Sequence, residues 1–210
     1  MDIHDYKNLN LLNNIITEGS VLVDVGSNNG EYTDFFKKKL NGSGKIYSIE
    51  LFPQTCEHLR QKYSNDSNVV VVNCAVSDVD GFIPYYMGNH HCLHNILGHD
   101  VNFRETKISG EINSTRLDTL LKNEERITLI KIDVEGAELL VLKGCEKIID
   151  RTDYILVECH LSKDWDEIKS ILLKKYNLEC YNNTADFEGT QIIREDSNMA
   201  YQCFCKKKYG

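Results

Sequence analysis

No apolar run in this chain of 210 residues approaches the ~20 residues that crossing a bilayer requires. The first residues, Met1-Asp2-Ile3-His4-Asp5, lack both the basic start and the apolar stretch of a secretion signal. A soluble, cytosolic protein with no membrane partner is expected. An excess of positive charge is missing too. Against 32 Asp plus Glu stand 24 Lys plus Arg, a net charge of −8, so the surface as a whole repels phosphate backbones and a nucleic-acid substrate is disfavoured. The one basic cluster, Lys206 to Lys208, reads as a solvated tail. Internal repeats, low-complexity tracts and linkers are absent, so residues 1–210 read as a single domain. Cysteine is not scarce. The eight thiols are scattered through apparent strands and helices without an export signal, which points to reduced, mostly buried side chains rather than a disulfide scaffold.

What is present is an alternation. Ser20 to Val25 is a short apolar strand, Glu31 to Leu40 a helix, Lys45 to Glu50 a second strand, Pro53 to Tyr63 a helix with proline in its first turn, and Asn68 to Cys74 a third strand. Farther on, Ile127 to Ile132 reads as a buried strand and Ala137 to Lys143 as a short helix stopped by Gly144. Tyr154 to Cys159 reads as a strand and Asp164 to Lys175 as an amphipathic helix. Strands alternating with helices imply an α/β fold with a mostly parallel sheet covered on both faces. After Tyr176 three strand-like segments, about 178–182, 191–194 and 199–205, follow without a helix, which predicts an antiparallel edge. Ligands of such sheets bind beyond the carboxyl ends of the strands.

Residues Gly81 to Arg116 lack periodicity and carry Tyr85, Tyr86, His90, His91, Cys92, His94 and His99. A long irregular interval in a compact domain is usually functional or disordered, and its place between the third and fourth strands suggests an acceptor-binding insertion. Zinc is the competing reading of the histidines. The Cys-x-x-Cys half that would secure it is missing, so the lid reading is preferred.

The strongest motif is VDVGSNNGEYT, Val23 to Thr33, an acidic strand end, a glycine turn and a helix. Gly26 and Gly30 allow close approach of a ligand to the backbone. A dinucleotide fingerprint would place a glycine where Asn28 stands, which disfavours a nicotinamide oxidoreductase and favours a nucleoside cofactor without phosphates. Glu50 ends the second strand 24 positions beyond Gly26, where an acid accepts hydrogen bonds from ribose hydroxyls. The bland alternatives are a plain strand-to-helix turn and a solvated strand-end carboxylate.

Taken with IELFP (Ile49 to Pro53), NCAVSDVDG (Asn73 to Gly81), LDTLL (Leu117 to Leu121), IKIDVEGAELLVLKG (Ile130 to Gly144) and VECH (Val157 to His160), the motif resembles the FkbM family of S-adenosylmethionine-dependent methyltransferases. The resemblance implies a Rossmann-like class I methyltransferase fold with a seven-stranded sheet. It also implies S-adenosylmethionine as donor and O-methylation of a small-molecule or carbohydrate acceptor. Asp24, Gly26, Asn28 and Gly30 would line the methionine end of the cofactor, Glu50 would bind its ribose, and Leu51, Ala75 and Val76 would pack on adenine. Many methyltransferases carry an acid where this chain has Cys74, with Asp78 the nearest substitute.

Methyl transfer to oxygen needs an aligned acceptor and a group to take its proton. In the implied fold Asp133 ends the fourth strand beside the cofactor, Glu135 and Glu138 follow it, and Glu158 and His160 end the fifth and point the same way. Asp133, His160 and Glu135 are the catalytic candidates, Glu135 having a second reading as a cap on the next helix. Asp133, Glu158 and His160 would also suit a hard divalent cation, although no spacing rule demands one and no metal is assigned. The competing class of function is a catalytically silent nucleoside-cofactor scaffold, which a turnover assay separates from an enzyme.

Overall fold

The computed structural model describes residues 12–87, 95–98, 107–181 and 201–208. Strands β1 (Val21–Val25), β2 (Lys45–Glu50) and β3 (Val69–Asn73) alternate with helices α1 (Glu31–Leu40) and α2 (Pro53–Lys62). After a two-residue strand β4 (Ala75–Val76) come β5 (Gly81–Met87), β6 (Lys107–Thr115) and the short helix α3 (Leu117–Leu120). The second half runs through β7 (Ile127–Ile132), α4 (Glu138–Lys143), β8 (Thr152–Cys159), α5 (Trp165–Leu173), β9 (Tyr176–Tyr181) and β10 (Tyr201–Lys207).

Seven strands form the main sheet in the order β3-β2-β1-β7-β8-β10-β9. From β3 to β8 every pairing is parallel, while β10 runs antiparallel to both β8 and β9. The expected antiparallel element therefore lies one strand in from the edge, and segment 191–194 lies outside the described residues. Lys206 and Lys207 belong to β10 rather than to a free tail, and Lys208 Nζ donates to the Leu173 carbonyl at the end of α5.

Period-two alternation sends side chains to two cores. Leu22, Ile46, Leu129 and Leu156 pack with Phe36 and Leu40 of α1 on one face. Val23, Ile130, Ile132 and Val157 pack with Val141 of α4 and Ile168 of α5 on the other. Each such side chain contributes about 1.5–3 kcal/mol when fully buried. Helix α1 follows Gly30, has acids in its first turn and three lysines in its last, and ends at the left-handed Asn41. This charge order matches the helix dipole. Cys56, Cys74, Cys145, Cys159, Cys203 and Cys205 are free and buried, and no described helix is long and apolar enough to cross a membrane.

The interval expected to be irregular holds β5 and β6, which pair antiparallel and join β4, just ahead of the interval, in a second sheet of order β4-β6-β5. Strand β5 is exposed or half-buried throughout, β6 buries only Ile112, Ser114 and Thr115 near its end, and a bulge between Tyr85 and Tyr86 interrupts the register. A strand without one buried face, such as β5, has no alternation to show, and a bulge moves residues to the opposite face midway. The histidines and cysteine at 90–92, 94 and 99 lie outside the described residues.

Candidate active site

Where β1, β2 and β7 end side by side, the turn after β1 is woven into its neighbours. The amides of Gly26 and Ser27 both donate to the Ile49 carbonyl at 3.0 Å, and the Asp133 amide donates to the Val25 carbonyl at 3.1 Å. Gly26 has φ 77°, and a Cβ there would lie 1.8 Å from the Asp133 carbonyl oxygen. Any side chain at this position would push β1 and β7 apart.

Beyond the turn opens a cleft of about 650 Å3 lined by Gly26, Asn28, Glu50, Leu51, Ala75 and Val76 on one side and by Asp133, Val134 and Glu135 on the other. Glu50 is held by backbone alone. Its Oε2 accepts from the Asn28 amide and its Oε1 from the Phe52 amide, each at 2.8 Å. Burial pushes the Glu50 pKa up and these two bonds oppose the rise, with a net upward shift. Each oxygen keeps a lone pair for a ligand hydroxyl. Asn28 is itself left-handed at φ 44°, and its buried Oδ1 has no hydrogen-bond partner in the structure.

Of the other sequence candidates on this side, Asp24 and Gly30 lie outside the cleft lining. Asp24 is fully buried beneath it, accepting from the Thr33 hydroxyl at 2.7 Å. Gly30 caps α1, where a Cβ would lie 2.3 Å from the Tyr63 hydroxyl that bonds its carbonyl, so the close approach it permits is between helices α1 and α2. Cys74 lines the cleft with its thiol pushed by burial to about 12. A neutral group therefore stands where an acid was sought, and Asp78 is exposed and outside the lining.

Across the cleft, behind the wall formed by Asp133 and Glu135, four carboxylates surround the imidazole of His160, which with Glu138 and Glu158 lies outside the lining. His160 Nδ1 is 2.8 Å from Glu138 Oε1, while Nε2 lies 3.7 Å from Asp133 Oδ1 and 3.9 Å from both Glu135 Oε2 and Glu158 Oε1. The structure thus brings Asp133, Glu135, Glu158 and His160 together. Donor atoms of Asp133, Glu135 and His160 lie within 4.8 Å of one another, and this arrangement can manage a proton as readily as it can meet a cation. No side chain caps α4, so the capping role expected of Glu135 is not seen; Glu138, 1% exposed, braces the turn before the helix, its Oε1 accepting from the amides of Val134 at 3.3 Å and Gly136 at 3.0 Å. The reason is the backbone. Glu135 is left-handed at φ 54°, followed by Gly136 at φ 102°, a turn that costs about 1–2 kcal/mol at a residue with a side chain and directs the Glu135 carboxylate into the cleft.

The charges of the cluster are set mutually. Burial opposes a charge on His160, but the Glu138 hydrogen bond and charge, then Asp133 and Glu135, outweigh it and raise its pKa to about 10. Burial raises the Glu135 pKa to about 7. His160 opposes that rise, while Asp133, Glu138 and Glu158 add to it. At neutral pH the imidazole is a cation and Glu135 titrates.

Three participants escaped the sequence reading. Lys131, buried on β7, pairs with Asp133 Oδ2 at 3.1 Å, and the signal for it was a lysine inside an otherwise apolar strand. Asn95 and Ile96, from the insertion, line the same cleft. Backbone bonds from Asn95 to Tyr86 at 2.8 and 3.1 Å tie them to β5, and nothing in the sequence signals that pairing.

Residues 24–201 match the Methyltransferase FkbM domain family. The chain is 27% identical over 158 residues to the hexuronic acid methyltransferase AglP of Haloferax volcanii, an alignment that takes in 74% of this chain and 62% of AglP. It therefore spans less than two thirds of that relative's length. Among solved structures, Methyltransferase FkbM from Methylobacillus flagellatus superposes with a TM-score of 0.62 at 18% identity, covering 89% of this chain and 43% of the other. A putative methyltransferase from Streptococcus mutans, solved in complex with SAH, gives 0.56 at 14% identity, covering 96% of each chain. At these identities the structural matches establish a shared class I methyltransferase fold.

Proposed function

This chain belongs to the FkbM methyltransferase family, and from that membership we infer that it transfers the methyl group of S-adenosylmethionine to a hydroxyl oxygen of a small-molecule or carbohydrate acceptor. The observation that carries the reading is one cleft with two unlike walls. One is a carboxylate seated on backbone amides, suited to ribose hydroxyls. The other is an acid cluster containing a group that titrates near neutrality.

The residues present fit the cofactor. Glu50 would hold the ribose, Leu51, Ala75 and Val76 the adenine, and Gly26 with Asn28 the methionine end, where the unpartnered Asn28 Oδ1 can accept from an ammonium. S-adenosylmethionine supplies an electrophilic sulfonium methyl when bound. Everything else falls to the chain. Asp133 and Glu135 face the acceptor, and as its oxygen attacks, the proton passes to the Glu135 carboxylate. His160, already protonated, serves as the fixed cation that lets these carboxylates stand together. The name of AglP supports a carbohydrate acceptor. The insertion 81–116 is the acceptor-binding part of a single domain, because Asn95 and Ile96 reach the cleft.

Two measurements test this reading. Saturating S-adenosylhomocysteine should raise the melting temperature, since a ligand of the native state stabilises it by mass action. Methyl-labelled S-adenosylmethionine should label a member of a panel of free sugars, sugar nucleotides and hydroxylated small molecules. No melting shift, or a shift with NAD instead, would sink the assignment. Cofactor binding without transfer to any acceptor would favour the silent scaffold.

A further inference from the structure

Strand β7 reads Ile-Thr-Leu-Ile-Lys-Ile, with Lys131 its one charged residue. Taking an ammonium out of water costs several kcal/mol unless anions and dipoles replace its hydration. Lys131 is 5% exposed, and its Nζ meets partners from three segments. It donates to the Gly26 carbonyl at 3.1 Å and pairs with Asp133 Oδ2 at 3.1 Å and with Asp24 Oδ1 at 3.4 Å. The Tyr32 ring of α1 lies 5.0 Å away. Asp24 is the register partner of Lys131 on β1, so charge balance accounts for that contact. It does not account for the bond to Gly26. Gly26 is gripped through both of its peptide groups, its amide donating to the Ile49 carbonyl and its carbonyl accepting from Lys131.

We propose that Lys131 is a positioning residue that ties the Gly26 turn to the Asp133 carboxylate, so that the cofactor and acceptor walls of the cleft stay aligned. The proposal rests on the reading of this cleft as an S-adenosylmethionine site. Lys131 is not itself a base. Burial opposes its charge, but Asp133 and Asp24 outweigh burial and push its pKa above the usual lysine range. Burial likewise pushes Tyr32 up, with Glu158 of β8 among the groups that add to the rise, so the ring stays neutral. The clamp is therefore constant across the neutral pH range.

The test measures S-adenosylhomocysteine affinity by calorimetry, with melting temperature, on the full chain. Lys131→Met leaves two carboxylates facing each other and should lower both. Asp24→Asn combined with Lys131→Met restores the charge balance. It should recover most of the melting temperature yet bind S-adenosylhomocysteine roughly tenfold or more weakly than wild type, because the Gly26 carbonyl has lost a charged donor. Affinity within twofold of wild type in that variant would show that Lys131 only balances Asp24 and would overturn the proposal. If the double variant does not fold, Lys131→Gln is read by the same criterion, and wild-type affinity there is equally fatal. Lys143→Met, which breaks an exposed ion pair with Glu167, should leave the affinity unchanged and serves as control. A wild-type chain that binds no S-adenosylhomocysteine would overturn the reading of the cleft instead.

Discussion

The two walls of the cleft are built by different physics. On the β1–β2 side, main chain holds the functional group: two backbone amides fix Glu50, and the ends of β1, β2 and β7 lock the Gly26 turn. On the β7–β8 side, side chains hold one another, with four carboxylates around His160 and a turn through a left-handed Glu135. A wall built on peptide bonds has one geometry and a single carboxylate, Glu50, to titrate. A wall of coupled acids has several, so substitution and pH should act on it far more strongly. In the proposed reading, binding belongs to the first wall and chemistry to the second.

The largest effect expected is on chemistry. Glu135→Gln should lower kcat by about 10²–10⁴-fold, the usual contribution of a positioned proton acceptor, with cofactor affinity within about twofold. An equal loss of cofactor binding would erase the division between the walls. Next, Glu50→Ala should weaken S-adenosylhomocysteine binding by roughly 10- to 100-fold, as lost hydrogen bonds to a charged group imply, without moving the pH dependence of turnover. Third, kcat/KM should climb about tenfold per pH unit below the Glu135 pKa of about 7 and level off above it. A flat profile between pH 5 and 8 would place the proton elsewhere.

Two smaller effects sharpen the comparison. His160 has a folded pKa of about 10, above the ordinary 6.5. Its charged form is therefore favoured by folding, and that stabilisation is complete below about pH 6.5 and lost as pH rises through about 10. Melting temperature should decline over this window in wild type and decline less in His160→Phe. Smallest of all is the expected effect of dialysis against a chelator, which should leave turnover within about twofold because residues of the chain handle the proton. Loss restored by Mn²⁺ would reassign Asp133, Glu135 and His160 to a cation, since imidazole with carboxylates suits such ions.

The same contrast explains what was legible in the sequence. Parallel strands buried on both faces show as apolar runs, and Gly26 and Glu50 stand at spacings that backbone geometry imposes. Hence the sheet and the first wall could be read. Asp133, Glu135 and His160 could be named as candidates, but not their charge states, which depend on Glu138 approaching from a different element. Nor does composition reveal that Asp24 is a buried counter-ion of Lys131, since that pairing needs the β1–β7 register. The β5–β6 sheet is not legible because β5 has no buried face and a bulge between Tyr85 and Tyr86 breaks its register. The inward turn at Asn95 combines a side-chain turn, with Oδ1 accepting from the amides of Leu97 and Gly98, with a backbone pairing to Tyr86 that no local pattern announces.

Strand β10, at residues 201–207, lies between β8 and β9 and is, among the described residues, the only partner β9 has in the sheet. During synthesis, the main-sheet strands β1, β2, β3, β7 and β8 can assemble in the order in which they emerge, each after the first finding a neighbour already in place. Strand β9 emerges with nowhere to pair and must wait for residues made later. A stop codon anywhere before Tyr201 would thus remove two strands from the sheet rather than one. It would also leave the outer side of β8 as an unpaired edge, the kind of surface on which partly made chains associate.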